Sequence, residues 1–117
     1  MNIQELKEQE AYRLTIDEET KITLVNATDI LYIECNGYLT TVYLINSQKL
    51  TSSFLLKKYE KLLHDKGFMR VNYQTLVNGR YVKKAIFNKE QQVVFVQTIP
   101  VHVSRRRVKE VKIWLHA

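Results

Sequence analysis

From Thr20 to Val103 the apolar residues of this chain fall in short runs with a period of two, and that period is interrupted only once. Side chains two apart on a strand share a face, so each run reads as a short, half-buried strand. Thr20 to Val25 alternates, with Ile22 and Leu24 on one face. Leu31, Ile33 and Cys35 share a face, and Tyr32 and Glu34 share the opposite one. Asn36-Gly37 follows, a dipeptide suited to the positive φ of a tight hairpin. Thr41 to Ile45 then returns as the partner strand, and Asn46-Ser47 marks the next turn. The pattern resumes at Phe68-Met69-Arg70-Val71, Leu76-Val77, Tyr81-Val82, Gln92 to Val96 and Val101-His102-Val103.

The interruption is helical. Leu55, Tyr59, Leu62 and Leu63 recur at the spacing of one helix face, with Lys57, Lys58, Glu60 and Lys61 between them. Ser52 or Ser53 is placed to cap its start, and Gly67 to close its end. A second helical stretch runs from Arg105 to Leu115. There Val108, Val111 and Leu115 face inward, leaving Arg105, Lys109 and Lys112 on another face. Many short strands with one short amphipathic helix and a short C-terminal helix predict a mainly β, sandwich-like or barrel-like domain. Strands do not alternate with long helices, which excludes a doubly wound sheet. With 117 residues, a single proline (Pro100), three glycines and no linker-like stretch, one domain is expected over residues 11–117. Residues 1–10 read as a flexible tail or the remnant of a linker.

The net charge is +6, which favours a polyanionic partner. Its placement is uneven. Acidic residues gather early, at Asp17-Glu18-Glu19, and basic ones late, at Arg80, Lys83, Lys84, Arg105-Arg106-Arg107, Lys109 and Lys112. No apolar run approaches the length of a membrane span, and the first ten residues are polar and mixed in charge, unlike a signal or transit peptide. Cys35 is the sole cysteine, so no intramolecular disulfide can form. A cytoplasmic location is the expectation.

Signatures of catalysis are missing, and no enzyme is expected. Three scattered glycines build no phosphate loop. His64, His102 and His116 lie far apart, and none stands at zinc-ligand spacing with Cys35, so no metal or cofactor is expected. Ser104 lies near His102 but has no orienting acid and no nucleophile-elbow context. Tyr32, Tyr43, Tyr59 and Tyr81 fall inside element patterns and read as packing residues. Tyr38 and Tyr73 fall beside turns, where an aromatic ring can serve binding. The run Arg105-Arg106-Arg107 opens a helix, where cations oppose the positive end of the helix dipole. Arginines so placed suit an anionic partner: they pair with phosphates or bond guanine in the major groove.

The order of these segments resembles the LytTR-type DNA-binding domain, the output module of bacterial response regulators of the AgrA and LytR kind. Asp29-Ile30-Leu31-Tyr32-Ile33-Glu34 resembles that family's opening strand, with Asn36-Gly37-Tyr38 at the first hairpin. Thr51 to Leu63 resembles its helix segment. Gly67-Phe68-Met69-Arg70-Val71 with Leu76-Val77-Asn78 matches its "GFxRV…LVN" motif, and Ile99-Pro100-Val101 with Val103-Ser104-Arg105-Arg106 its closing "VSRR". The resemblance implies small antiparallel sheets in an elongated, sandwich-like arrangement, with connecting loops rather than a recognition helix entering adjacent major grooves of direct-repeat promoter sites. It implies DNA contacts from Asn36, Gly37 and Tyr38, from Asn72, Tyr73 and Gln74 with Asn78, and from Arg105, Arg106 and Lys109. Double-stranded DNA is then the partner, with room for a dimer on DNA and no membrane, and two readings stay open: a stand-alone regulator, or the output domain of a two-component system with a receiver domain or sensor kinase. Relatives carry His-Arg where this chain has Asn72-Tyr73, so their base preference does not transfer. The competing reading is a non-enzymatic interaction domain whose basic face binds an acidic protein or a membrane surface.

Overall fold

The computed structural model describes Gln9 and residues 12–116. Its strands are β1 (Arg13–Asp17), β2 (Ile22–Asn26), β3 (Ile30–Asn36), β4 (Leu39–Leu44), β5 (Lys49–Ser52), β6 (Phe68–Asn72), β7 (Thr75–Asn78), β8 (Val82–Phe87), β9 (Gln92–Val96) and β10 (Ile99–His102). Helix α1 (Leu56–Leu62) separates β5 from β6, and α2 (Val108–His116) follows a 3-10 turn at Arg105–Arg107. The strands form a 2-stranded sheet β1-β2, a 5-stranded sheet β5-β4-β3-β7-β6 and a 3-stranded sheet β10-β9-β8. Every pairing is antiparallel. The body is elongated, at 45 × 33 × 24 Å. A mainly β protein with small antiparallel sheets and two short helices is therefore what this sequence makes.

The 5-stranded sheet is the middle layer. Ile33, Val42, Leu50 and Leu76 point from one face into a core shared with Leu14 and Ile16 of β1, Val25 of β2, and Leu56, Tyr59 and Leu63 of the α1 segment. Val71 and Val77 point from the other face into a second core with Val94, Val96, Val101 and Val103, closed by Val111 and Trp114 of α2. Burying both faces is what strands with apolar residues of both parities require.

Several local expectations are corrected. Ile22 and Leu24 share a face, but it points to solvent, at 67% and 55% exposure. The register decides this: buried Leu14 and Ile16 of β1 pair with Val25 and Thr23, so those positions of β2 face the core. Strand β1 itself has no counterpart in the sequence reading. Leu31 leaves the face of Ile33 because the β3–β4 register shifts between Ile30 and Tyr32, putting Leu31 in the second core. Ser52 and Ser53 do not cap α1. The N-cap is Leu55, with no side-chain cap. Ser52 is buried in β5, where its hydroxyl bonds the Tyr59 hydroxyl and accepts from Phe54 N–H. Leu55 is consequently exposed, and Leu56 takes its place in the core. Gly67 stands beyond the helix, with φ at +81. The expected tail at residues 1–10 lies outside the described residues except for Gln9, which is buried and bonds Asn78.

Candidate nucleic-acid interface

Antiparallel pairing brings the segments singled out in the sequence to one end of the middle sheet. The β3–β4 hairpin turns at Gly37-Tyr38, between the paired Asn36 and Leu39. The β6–β7 turn is Tyr73-Gln74, between the paired Asn72 and Thr75. Since Glu34 pairs with Thr75, both turns project from the same end, and Cys35 N–H donates to Gln74 C=O at 2.8 Å. Ser104, just ahead of the arginines, donates its N–H to Val71 C=O at 3.0 Å. The arginine segment thus starts beside the β6–β7 turn.

At the β3–β4 hairpin, φ is positive at Gly37 (+64) and not at Tyr38. Glycine at the first central position is the pattern of a type II′ turn, so the turn centre lies one residue later than Asn36-Gly37 suggests. Tyr38 stands fully free of the surface. It shares a groove with Glu18, Glu19 and Lys21 from the β1–β2 turn, so carboxylates flank this tip.

The β6–β7 turn uses no positive φ at Tyr73 or Gln74. Instead, Asn72 Oδ1 accepts from Gln74 N–H at 2.7 Å, closing the turn through a side chain. Asn72 Nδ2 donates to His102 C=O of β10 at 2.7 Å. Both ends of this amide are therefore engaged within the protein. Tyr73 and Gln74 remain exposed. Arg70 holds the turn from beneath: its guanidinium donates to Tyr73 C=O, pairs with Glu60 of α1 at 3.1 Å and lies 5.7 Å from the Tyr73 ring centroid.

Asn78 does not belong to the surface. It is fully buried, donating to Ile30 C=O at 2.8 Å and accepting from Arg80 N–H at 3.0 Å and from Gln9 Nε2 at 3.0 Å. It sits at the far end of β7 from the Tyr73-Gln74 tip. Its place among the DNA contacts is therefore withdrawn: burial makes it a structural knot.

Arg105, Arg106 and Lys109 are exposed, and among the described residues no carboxylate pairs with them. Arg107 turns inward and donates to Arg70 C=O at 3.3 Å. Arg105 also lines an open groove with Phe87, Asn88, Lys89, Val108 and Lys112, where the β8–β9 hairpin faces α2. Lys89 is the residue the sequence reading missed. Only the polar break Asn88-Lys89-Glu90 marks it, and nothing local places it beside Arg105. Among the described residues no group of side chains could hold a metal ion, and no helix is long and apolar enough to cross a membrane.

Residues 20–116 match the family described as LytTr DNA-binding domain, and the chain belongs to that family. This is a family of DNA-binding domains, not of enzymes. Among curated proteins, the chain is 29% identical over 101 residues to the sensory transduction protein LytR of Staphylococcus saprophyticus, covering 85% of this chain and 39% of that protein. It is 25% identical over 101 residues to the transcriptional regulatory protein LytR of Staphylococcus aureus, covering 85% and 41%. The chain therefore spans about two-fifths of the length of these relatives. Among solved structures, the LytTr DNA-binding domain of a methyl-accepting/DNA response regulator from Bacillus cereus superposes with a TM-score of 0.76. That match has 19% identity and covers 90% of this chain and 97% of that one, so the fold is shared.

Proposed function

We propose that this domain binds double-stranded DNA sequence-specifically and regulates transcription as the output part of a longer cytoplasmic response regulator. The observation that carries the reading is the convergence of the exposed Tyr73-Gln74 tip and the acid-free Arg105-Arg106 segment at one end of the middle sheet. A loop tip and an arginine pair so placed can enter a major groove without a recognition helix. Arg106 supplies the bidentate donor that guanine N7 and O6 accept. Gln74 supplies the donor and acceptor that match adenine. Lys109, Lys89 and Lys112 meet phosphates. The Tyr38 hairpin touches the duplex at the margin, where Glu18 and Glu19 limit the footprint. The relative described as a transcriptional regulatory protein supports promoter sites as the target, and direct repeats would let copies bind side by side.

Selection of bound duplexes from a random pool tests the reading, followed by affinity measurement across salt concentrations. The expected result is one recovered motif, repeated at fixed spacing, and log affinity falling linearly with log salt. Salt-sensitive binding with no motif recovered sinks the proposal and favours a basic face that meets an acidic protein or an anionic membrane.

A further inference from the structure

The β6–β7 turn and the arginine segment are remote in sequence yet cross-linked by side chains. Asn72 and His102, which the key bond joins, are 30 positions apart. Asn72 Nδ2 donates to His102 C=O at 2.7 Å while its Oδ1 holds Gln74 N–H at 2.7 Å. Further back along β6, Ser104 N–H donates to Val71 C=O at 3.0 Å and Arg107 Nη1 to Arg70 C=O at 3.3 Å. The guanidinium of Arg70 in turn holds Tyr73 C=O. Arg70 and Asn72 thus each reach both the turn tip and the stretch that carries Arg105 and Arg106, and Val71 between them reaches the latter alone.

We infer that Asn72 is a positioning residue whose amide latches the Tyr73-Gln74 tip and the Arg105-Arg106 segment into one rigid reading unit, so that their contributions to DNA binding are coupled. This rests on the DNA-binding reading above. The amide suits the task because it carries a donor and an acceptor at opposite corners. One corner shapes the turn and the other reaches β10. Two loops ordered before the duplex arrives lose less freedom on binding than two loops ordered separately. Both also keep a fixed register relative to the bases.

Two variants separate the parts of the latch. Asn72→Ala removes both bonds. Asn72→Ser keeps a short acceptor for the turn but does not reach His102, so it spares the fold if the alanine variant unfolds. Each is expected to lower affinity for the selected duplex, by about tenfold for alanine, while affinity for an unrelated duplex changes by less than about twofold. The decisive measurement is a double-mutant cycle between Tyr73→Ala and Arg106→Ala. In the otherwise native chain the combined loss should fall short of the product of the single losses by about fivefold, and in the Asn72→Ser background the two should multiply. Simple multiplication in the native chain, or coupling that survives Asn72→Ser, overturns the inference. Amide exchange in the free protein gives a readout independent of DNA. Asn72→Ser should speed exchange of the Ser104 N–H at least about fivefold and leave that of Gln74 nearly unchanged. Unaltered Ser104 exchange overturns the latch whatever the duplex result. A native protein that selects no duplex but shows the Ser104 effect overturns the functional reading and keeps the latch.

Discussion

Side chains that look alike in sequence do opposite work in this domain, and single substitutions can tell them apart. Arg106 is exposed and bonds nothing within the described residues, so its removal should leave the fold alone. Arg106→Ala is expected to cost about 1–3 kcal/mol of discrimination for the selected duplex, with an unchanged melting temperature. Titration against matched and mismatched duplexes measures it. Asn78 should behave in reverse. Asn78→Ala strands the Ile30 carbonyl, and an unsatisfied buried group costs about 1–3 kcal/mol. Denaturant unfolding should show that loss, while the protein that remains folded binds DNA normally. Tyr32 gives a pH-dependent counterpart. Burial first, then the neighbouring Tyr43 and the Glu34 carboxylate, push its phenol up from 10.0 to about 12. Its ring stacks on Tyr43 at 4.4 Å. Because the native state keeps this proton longer than the unfolded chain, the associated stability is full below pH 10 and is lost as pH rises towards 12. Melts across that window should show the decline, and Tyr32→Phe should make it shallower without abolishing it, since burial also raises the Tyr43 and Tyr59 phenols.

At the scale of elements, the β8–β9 hairpin and α2 wall an open groove around Arg105, which on the proposed DNA-binding reading would hold a phosphate. Lys89 comes from one wall and Lys112 from the other, the latter 5.3 Å from the Phe87 ring centroid. Lys89→Ala and Lys112→Ala should each reduce the slope of log affinity against log salt by about 1, and weaken all duplexes alike. A loss confined to one sequence would assign these lysines to base reading instead. The sequence disclosed most of these elements, because alternation at β3, β4, β6 and β9 and the spacing around Tyr59 are local signals. It concealed what depends on partners. The face that β2 buries is set by its register with β1, and Ser52 looks like a helix cap until Tyr59 folds over it. Asn72 looks like a free polar turn residue because its second partner, the His102 carbonyl, is supplied by a strand from another sheet. The clustering of the candidate turns was legible only through the family resemblance. Periodicity gives strands, but not which ends meet.

For the whole molecule, the middle sheet joins two cores that share no apolar side chain among the described residues. Leu76 and Val77 are neighbours in β7 yet point into different cores. Damage to either core should therefore propagate through the sheet. Leu76→Ala in one core and Val94→Ala in the other should each destabilise by a few kcal/mol, about 2–5 for the leucine. Each should shift a single cooperative transition, seen alike by tryptophan fluorescence at Trp114 and by far-ultraviolet dichroism. Separate transitions by the two probes would mean that the layers unfold independently. The scaffold also has a bearing on how such domains diverge. The Tyr73-Gln74 tip keeps its shape through the Asn72 side chain and asks for no glycine at either position. Those two residues are anchored from outside themselves, so a lineage could exchange them freely. If the tip reads bases as proposed, new promoters become reachable by rewriting two codons while both cores, inherited intact, go on folding as before.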